Sequence, residues 1–123
     1  SVLSYRLMLG TETHTNNYFL MDWLPLNEVN YRKYRSLHAM EEKIFFLENI
    51  LVGNILSFSK GVNVFYNDKV TVKILNLNNS YQVEYKKVDL IALDIQFETN
   101  VSLPSFIGLG KNASMGSGTI IKL

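Results

Sequence analysis

From Leu37 onward, apolar residues fall at Leu37, Met40, Ile44, Leu47, Leu51, Ile55 and Phe58. Spacings of three and four, sustained over that distance, draw one apolar stripe along a helix. A strand cannot carry it, because a strand turns its side chains over at every second residue. A stripe of this kind must be buried against a second layer, which the rest of the chain has to supply. Gly53, inside the pattern, costs about 1 kcal/mol relative to alanine, and its presence predicts close packing on that layer. Gly61 is placed to end the helix in the left-handed conformation. Upstream, Asn27 is a good N-cap with Glu28 at the positive end of the helix that follows. Ser36 is placed to cap a second helix. The segment therefore predicts two helices, over 28–35 and 37–60.

The second layer reads as strands. Leu3, Tyr5, Leu7 and Leu9 alternate with Ser4, Arg6 and Met8, the period-two pattern of a strand with one buried face. The polar run 10–17 predicts a turn, and 18–24 the second strand of a hairpin that Pro25 ends. After the helix, 62–66 and 69–75 predict another hairpin about Asn67-Asp68, and 76–80 a further turn. Tyr81, Val83 and Tyr85 alternate with Gln82, Glu84 and Lys86. Ile91, Leu93, Ile95 and Phe97 face one way, and Leu90, Ala92, Asp94, Gln96 and Glu98 the other. Residues 119–123 close as a last strand. A long helical segment on one face of a largely antiparallel sheet is an α+β sandwich.

At 123 residues the chain has room for one core, so 1–123 is expected to be a single domain. A net charge of +1, from twelve Lys and Arg against eleven Asp and Glu, does not by itself argue for nucleic acid. Binding RNA would need the positive charge clustered locally. The absence of cysteine excludes disulfides and Cys-based zinc sites and fits a reducing compartment, with the cytoplasm as the expected location. No run approaches the ~18 apolar residues of a membrane span, and Arg6 with the polar run 10–17 interrupts any signal-peptide core. The chain begins with Ser1 rather than Met, so a longer natural protein is expected.

Four of the seven glycines crowd into 107–119, paired as Gly108/Gly110 and Gly116/Gly118. Glycine takes positive φ without a Cβ clash and admits close backbone approach, at an entropic cost. Accepting that cost four times predicts a loop that turns tightly or sets its own N–H groups against something, and consecutive N–H groups in such turns form anion-attracting nests. Lys111 would add a point charge to that cradle, and Lys60 another. A plain surface turn is the bland alternative. The nucleotide P-loop fails, since Gly110-Lys111 is followed by Asn112. The dinucleotide fingerprint fails too, because after Gly108-x-Gly110 the next glycine is at 116 and no helix-length sequence remains.

Between the predicted helices, Tyr31-Arg32-Lys33-Tyr34-Arg35 is the densest basic run, with aromatics interleaved. Arg32, Lys33 and Arg35 could hold phosphates while Tyr31 stacks on unpaired bases. Equally, the run could be a solvated helix face with Tyr34 tucked into the core. His38 suits proton transfer near neutral pH, although a lone helical histidine is more often structural. His14 reads as an exposed loop residue. Two histidines 24 positions apart and acids scattered along strands give no metal-ligand spacing, so neither a metal nor a cofactor is expected. No nucleophile motif of the G-x-S-x-G kind is present.

The loop pattern G-Φ-G-x5-G-x-G resembles the C-terminal loop of the RAMP superfamily. More narrowly, it is similar to the CRISPR repeat-processing endoribonucleases, the Cas six family. The resemblance extends upstream through 97–104, Asn54-Ile55-Leu56-Ser57-Phe58-Ser59-Lys60-Gly61 and Trp23-Leu24-Pro25-Leu26-Asn27. It implies a ferredoxin-like (RRM-like) fold, although residues 99–118 carry Pro104 and four glycines where that fold has its second helix. That helix is expected to be vestigial or replaced by the loop. The family usually has two such domains, and this chain resembles the C-terminal one, with an N-terminal ferredoxin-like domain as its missing partner. The resemblance further implies cleavage of precursor CRISPR RNA within its repeats. It needs no metal: the 2′-hydroxyl attacks the adjacent phosphate. In many relatives the catalytic histidine lies in the N-terminal domain, so the family pattern assigns no base here. It does carry Gly108, Gly110, Gly116 and Gly118 over as backbone contacts to RNA or to the facing domain, while Ser117 stands where relatives often have an apolar residue. Two other readings remain open. One is a non-catalytic RAMP-like scaffold that holds RNA among other Cas proteins. The other is a domain whose glycine loop binds a protein.

Overall fold

The computed structural model describes residues 11–85, 87–111 and 117–123. Their order is β1 (Thr11–Trp23), α1 (Glu28–Ser36), α2 (Met40–Gly61), β2 (Val72–Tyr85), β3 (Val88–Val101) and β4 (Thr119–Lys122). The strands form one antiparallel sheet in the order β2-β3-β1-β4. This is the β-α-β-β-α-β ferredoxin-like arrangement, with no second helix among the described residues between β3 and β4. Residues 102–111 run there as a non-helical segment. The segment follows the outer edge of β4: Gly108 bridges Thr119, Phe106 N donates to Ile120 O at 2.7 Å, and Ile120 N to Ile107 O at 3.0 Å.

Both helices form for the reasons legible in their ends. The Asn27 side chain accepts from Asn30 N at 2.8 Å, and Glu28 opens α1 while Lys33 and Arg35 close it, each sign matching the helix dipole. Ser36 does not cap α2. Its hydroxyl turns back and donates to Lys33 O at 2.6 Å, and α2 starts after an uncapped Ala39. Starting three residues later than expected leaves Met40 in solvent, and the buried stripe becomes Leu47, Leu51, Ile55 and Ser59. A Cβ on Gly53 would meet nothing within 4 Å, so that glycine does not mark close packing. Gly61 is the last helical residue, and Asn63 takes the left-handed turn at φ 64, a conformation that asparagine tolerates.

The core lies between the helices and one sheet face. Tyr18, Leu20, Trp23, Leu93, Ile95 and Phe97 meet Leu47, Leu51, Ile55 and Tyr34 there. Tyr18 and Phe97 pack with ring centroids 5.6 Å apart. The buried Tyr18 hydroxyl accepts from Leu103 N at 2.7 Å and donates to Val101 O at 3.4 Å, so its polar end is satisfied, as burial requires. Glu48 on α2 accepts from Ile74 N at 2.8 Å and ties the helix to β2.

Three expected turns and strands differ. Residues 11–17 are strand, not turn, because they pair with the end of β3 through a bulge; the strand expected over 3–9 lies outside the described residues. Residues 62–66 and 69–71 form no hairpin. Val64 and Val70 plug into the core instead, and Asn100 holds the segment by accepting from Thr71 N and donating to Lys69 O. The expected turn at 76–80 is continuous strand with two bulges. Its asparagines reach across to β3: Asn76 to Gln96 at 3.2 Å and Asn79 to Asp94 at 3.0 Å.

Candidate functional site

The glycine segment folds onto the end of β1. Gly110, at φ +86, leaves so little room that a Cβ there would lie 2.8 Å from Trp23 Cδ1 and Nε1. Trp23 is fully buried, and its indole N–H donates to Asn54 Oδ1 on α2 at 2.9 Å. Gly118, at φ +72, would set a Cβ 1.9 Å from Leu109 O. Around these contacts, Leu109 N donates to Gly118 O at 2.8 Å, Lys111 N to Leu24 O at 3.0 Å and Gly118 N to Asp22 O at 2.9 Å. These amides are therefore occupied within the chain. They cannot form the anion-attracting cradle expected of them, and the two glycines serve close approach of backbone to the protein itself. Gly116 lies outside the described residues.

The anchor for this fold-back is a bulge in β1 at Asp22, between the register positions Leu20↔Ile95 and Trp23↔Leu93. Asp22 sits at φ 54, a costly conformation for a residue with a side chain. All its polar groups are engaged by neighbours that explain the outlier. Its N–H donates to Asp94 Oδ1 at 2.8 Å, its carbonyl accepts from the Gly118 amide, and its carboxylate accepts a hydrogen bond from the Tyr81 hydroxyl. Asp94 is buried and its second oxygen accepts from Asn79. The hydrogen bond to Asp22 pushes the Tyr81 hydroxyl up to about 12, with burial and the charges of Asp22 and Asp94 adding to it.

Two recesses flank the segment. One, of about 230 Å³, lies between α2 and the glycines and is lined by Asn54, Ser57, Phe58, Gly108, Leu109 and Gly110. The other, of about 300 Å³, is lined by Asp22, Leu24, Tyr81, Val83, Glu84, Ala92 and Ser117. Its carboxylates make the second recess hostile to a phosphate. The first has no carboxylate in its wall.

The remaining expected residues lie elsewhere. Arg32, Lys33 and Arg35 are exposed on α1, while Tyr34 is buried as the bland alternative required. Burial, then the neighbouring Tyr31, raises the Tyr34 hydroxyl above its ordinary value. The Arg35 guanidinium stands 5.8 Å over the Tyr31 ring, so one face of that ring is already in use. His38 is exposed in the three-residue link between the helices, and Lys60 is exposed at the end of α2. Neither recess is lined by His38 or by an α1 cation. Sequence reasoning missed Asp22, Tyr81 and Asp94. The signal was an acid within the apolar run of β3 and a break in the alternation of β1. Among the described residues no group of three His, Cys, Asp or Glu is placed to hold a metal, and no helix is long and apolar enough to cross a membrane.

Comparison with known proteins completes the picture. The uncharacterized protein MJ0978 of Methanocaldococcus jannaschii is 35% identical over 105 residues, 85% of this chain and 70% of that protein. A crystal structure of Cas6b superposes with a TM-score of 0.85 at 32% identity, over 94% of this chain. A second, of the CRISPR RNA processing endoribonuclease Cas6b, gives 0.84 at the same identity and coverage. The chain spans 58% of the length of each Cas6b structure. Csf5, a type IV Cas6 crRNA endonuclease, shares the fold at a TM-score of 0.73 and 13% identity, over 94% of this chain and 47% of that one. The family model of the Cas6b C-terminal domain matches residues 10–123, and the chain belongs to that family.

Proposed function

We propose that this chain is the RNA-holding C-terminal half of a ribonuclease that cuts precursor CRISPR RNA within its repeats. The observation that carries this reading is the likeness, at 32% identity over 94% of the chain, to a structure named as a CRISPR RNA processing endoribonuclease. The missing N-terminal domain completes the enzyme, which works in the cytoplasm, where the transcript is made.

The chemistry is an in-line transesterification. The 2′-oxygen loses its proton and bonds to the adjacent phosphorus, the bond to the 5′-oxygen breaks, and that oxygen takes up a proton. The products are a 2′,3′-cyclic phosphate and a 5′-hydroxyl. The step wants a base, an acid and cations on the phosphate. With the amides of Leu109, Lys111 and Gly118 occupied, the phosphates fall to side chains: Lys111 on the glycine segment, Lys60 near the end of α2, and Arg32, Lys33 and Arg35 on α1. Gly108, Gly110 and Gly118 shape the surface that receives the RNA, and Tyr31 offers a ring beside the α1 cations. His38 is exposed to solvent, and it is the candidate base on this chain.

The test is cleavage of an end-labelled repeat RNA by the full-length protein in EDTA. Cutting is expected, and a 2′-deoxy substitution at the scissile nucleotide should abolish it. Cutting that survives the 2′-deoxy substitution would overturn the mechanism. Salt-dependent binding without cutting would favour a scaffold subunit, and no RNA binding would favour a protein partner for the glycine segment. In the same assay His38→Ala should slow cutting without weakening RNA binding. Wild-type rates would move the base to the N-terminal domain.

A further inference from the structure

Among the described residues Phe106 is the most exposed of the large apolar side chains, with 76% of its surface in solvent. Its backbone is also left-handed, at φ 68. A bulky residue in that conformation is an outlier, and glycine or asparagine would hold the turn with less strain. Among the described residues the ring stacks on no other ring and lies under no cation. The backbone around it is nonetheless fixed. Phe106 N donates to Ile120 O at 2.7 Å, Ile107 O accepts from Ile120 N at 3.0 Å, and Ser105 Oγ accepts from Lys122 N at 3.3 Å. Leu103 and Leu109 anchor either side in the core. A strained turn, pinned to β4, thus holds one aromatic face in water, with the exposed Lys122 in the strand beside it.

We infer that the Phe106 ring is a stacking platform for an unpaired RNA base, an inference that rests on the RNA-binding reading above. A ring on a rigid support with a cation close by is how single strands are held without sequence readout, and the segment leads within two residues into the glycines. A protein surface covering the ring is the competing explanation, and the test separates the two.

The full-length protein is titrated with a fluorescein-labelled single-stranded CRISPR repeat RNA, and its thermal midpoint is measured without RNA. Phe106→Gly suits the backbone better while removing the ring. It should leave the RNA-free midpoint unchanged or higher and weaken binding about five-fold or more, and Phe106→Trp should retain affinity. An RNA series with one abasic ribose at successive positions should contain a site whose missing base costs the wild type affinity but costs Phe106→Gly nothing, the non-additivity of a direct contact. Three results would overturn the inference: equal affinity in wild type and Phe106→Gly, a lower midpoint for the RNA-free variant, or the same abasic penalties in both proteins. If the wild type binds no RNA, the proposed function falls with it; if only the Phe106 effects are missing, that function stands.

Discussion

A methyl group on Gly118 would stand 1.9 Å from the Leu109 carbonyl oxygen, in a φ that already disfavours a side chain by about 1–2 kcal/mol. Relief means moving backbone, and the Gly118 amide that ties the segment to Asp22 would move with it. Gly118→Ala should therefore destabilise the domain by at least about 2 kcal/mol, read as a lower urea midpoint at unchanged slope. Tyr81 gives a second test, by pH. Its hydroxyl is raised from 10.0 to about 12 by donation to Asp22. A group whose folded value lies above its unfolded one adds stability that is fully present below the unfolded value and lost as pH climbs through the folded one. Wild type should lose stability relative to Tyr81→Phe between pH 10 and 12 and show a constant difference from pH 7 to 9. A difference that stays flat across both ranges would mean the Tyr81–Asp22 bond does not hold the bulge in solution.

Among the elements, α2 offers a clean test because Gly53 faces open space in the middle of a 22-residue helix. Gly53→Ala should stabilise the domain by about 1 kcal/mol, seen as a raised thermal midpoint; a fall would mean that a partner surface packs there. The same helix shows what the sequence could reveal. Its period, the Asn27 cap and the break near residue 37 were legible because they are local. The strands were less so. Asn76, Asn78, Asn79 and Ser80 have turn chemistry, but on edge strand β2 two of these asparagines find partners in Gln96 and Asp94, which only the paired sheet supplies. For the same reason Val64 and Val70, apolar and close to each other in sequence, read as hairpin strands although each enters the core from a loop. Gly110 and Gly118 were visible as glycines that the loop needed. That they close against Trp23 and Leu109, rather than open toward an anion, depends on a bulge far upstream at Asp22 that local pattern does not encode.

At the scale of the whole molecule, the sheet, the helices and the glycine segment are a frame whose cations occupy separate places. Arg32, Lys33 and Arg35 line α1, Lys60 ends α2, and Lys111 lies on the glycine segment. On the reading proposed above, the near-neutral net charge of this chain gives it no overall field to draw RNA, so its share of the binding would depend on these local groups, each neutralising a phosphate and releasing counterions. The number of phosphates met by one cluster can then be read from salt dependence. With the full-length protein, the slope of log affinity against log salt should flatten by about 0.7 for each phosphate of a single strand left without its cation. Replacing Arg32, Lys33 and Arg35 together by alanine should flatten it by about 2, and Lys111→Ala by less than about 1. A full effect from Lys111 with none from the triple variant would put the RNA on the glycine side of the sheet alone and leave the α1 run as a solvated face. The reverse would detach the glycine segment from phosphate binding and leave it the structural role its occupied amides already perform.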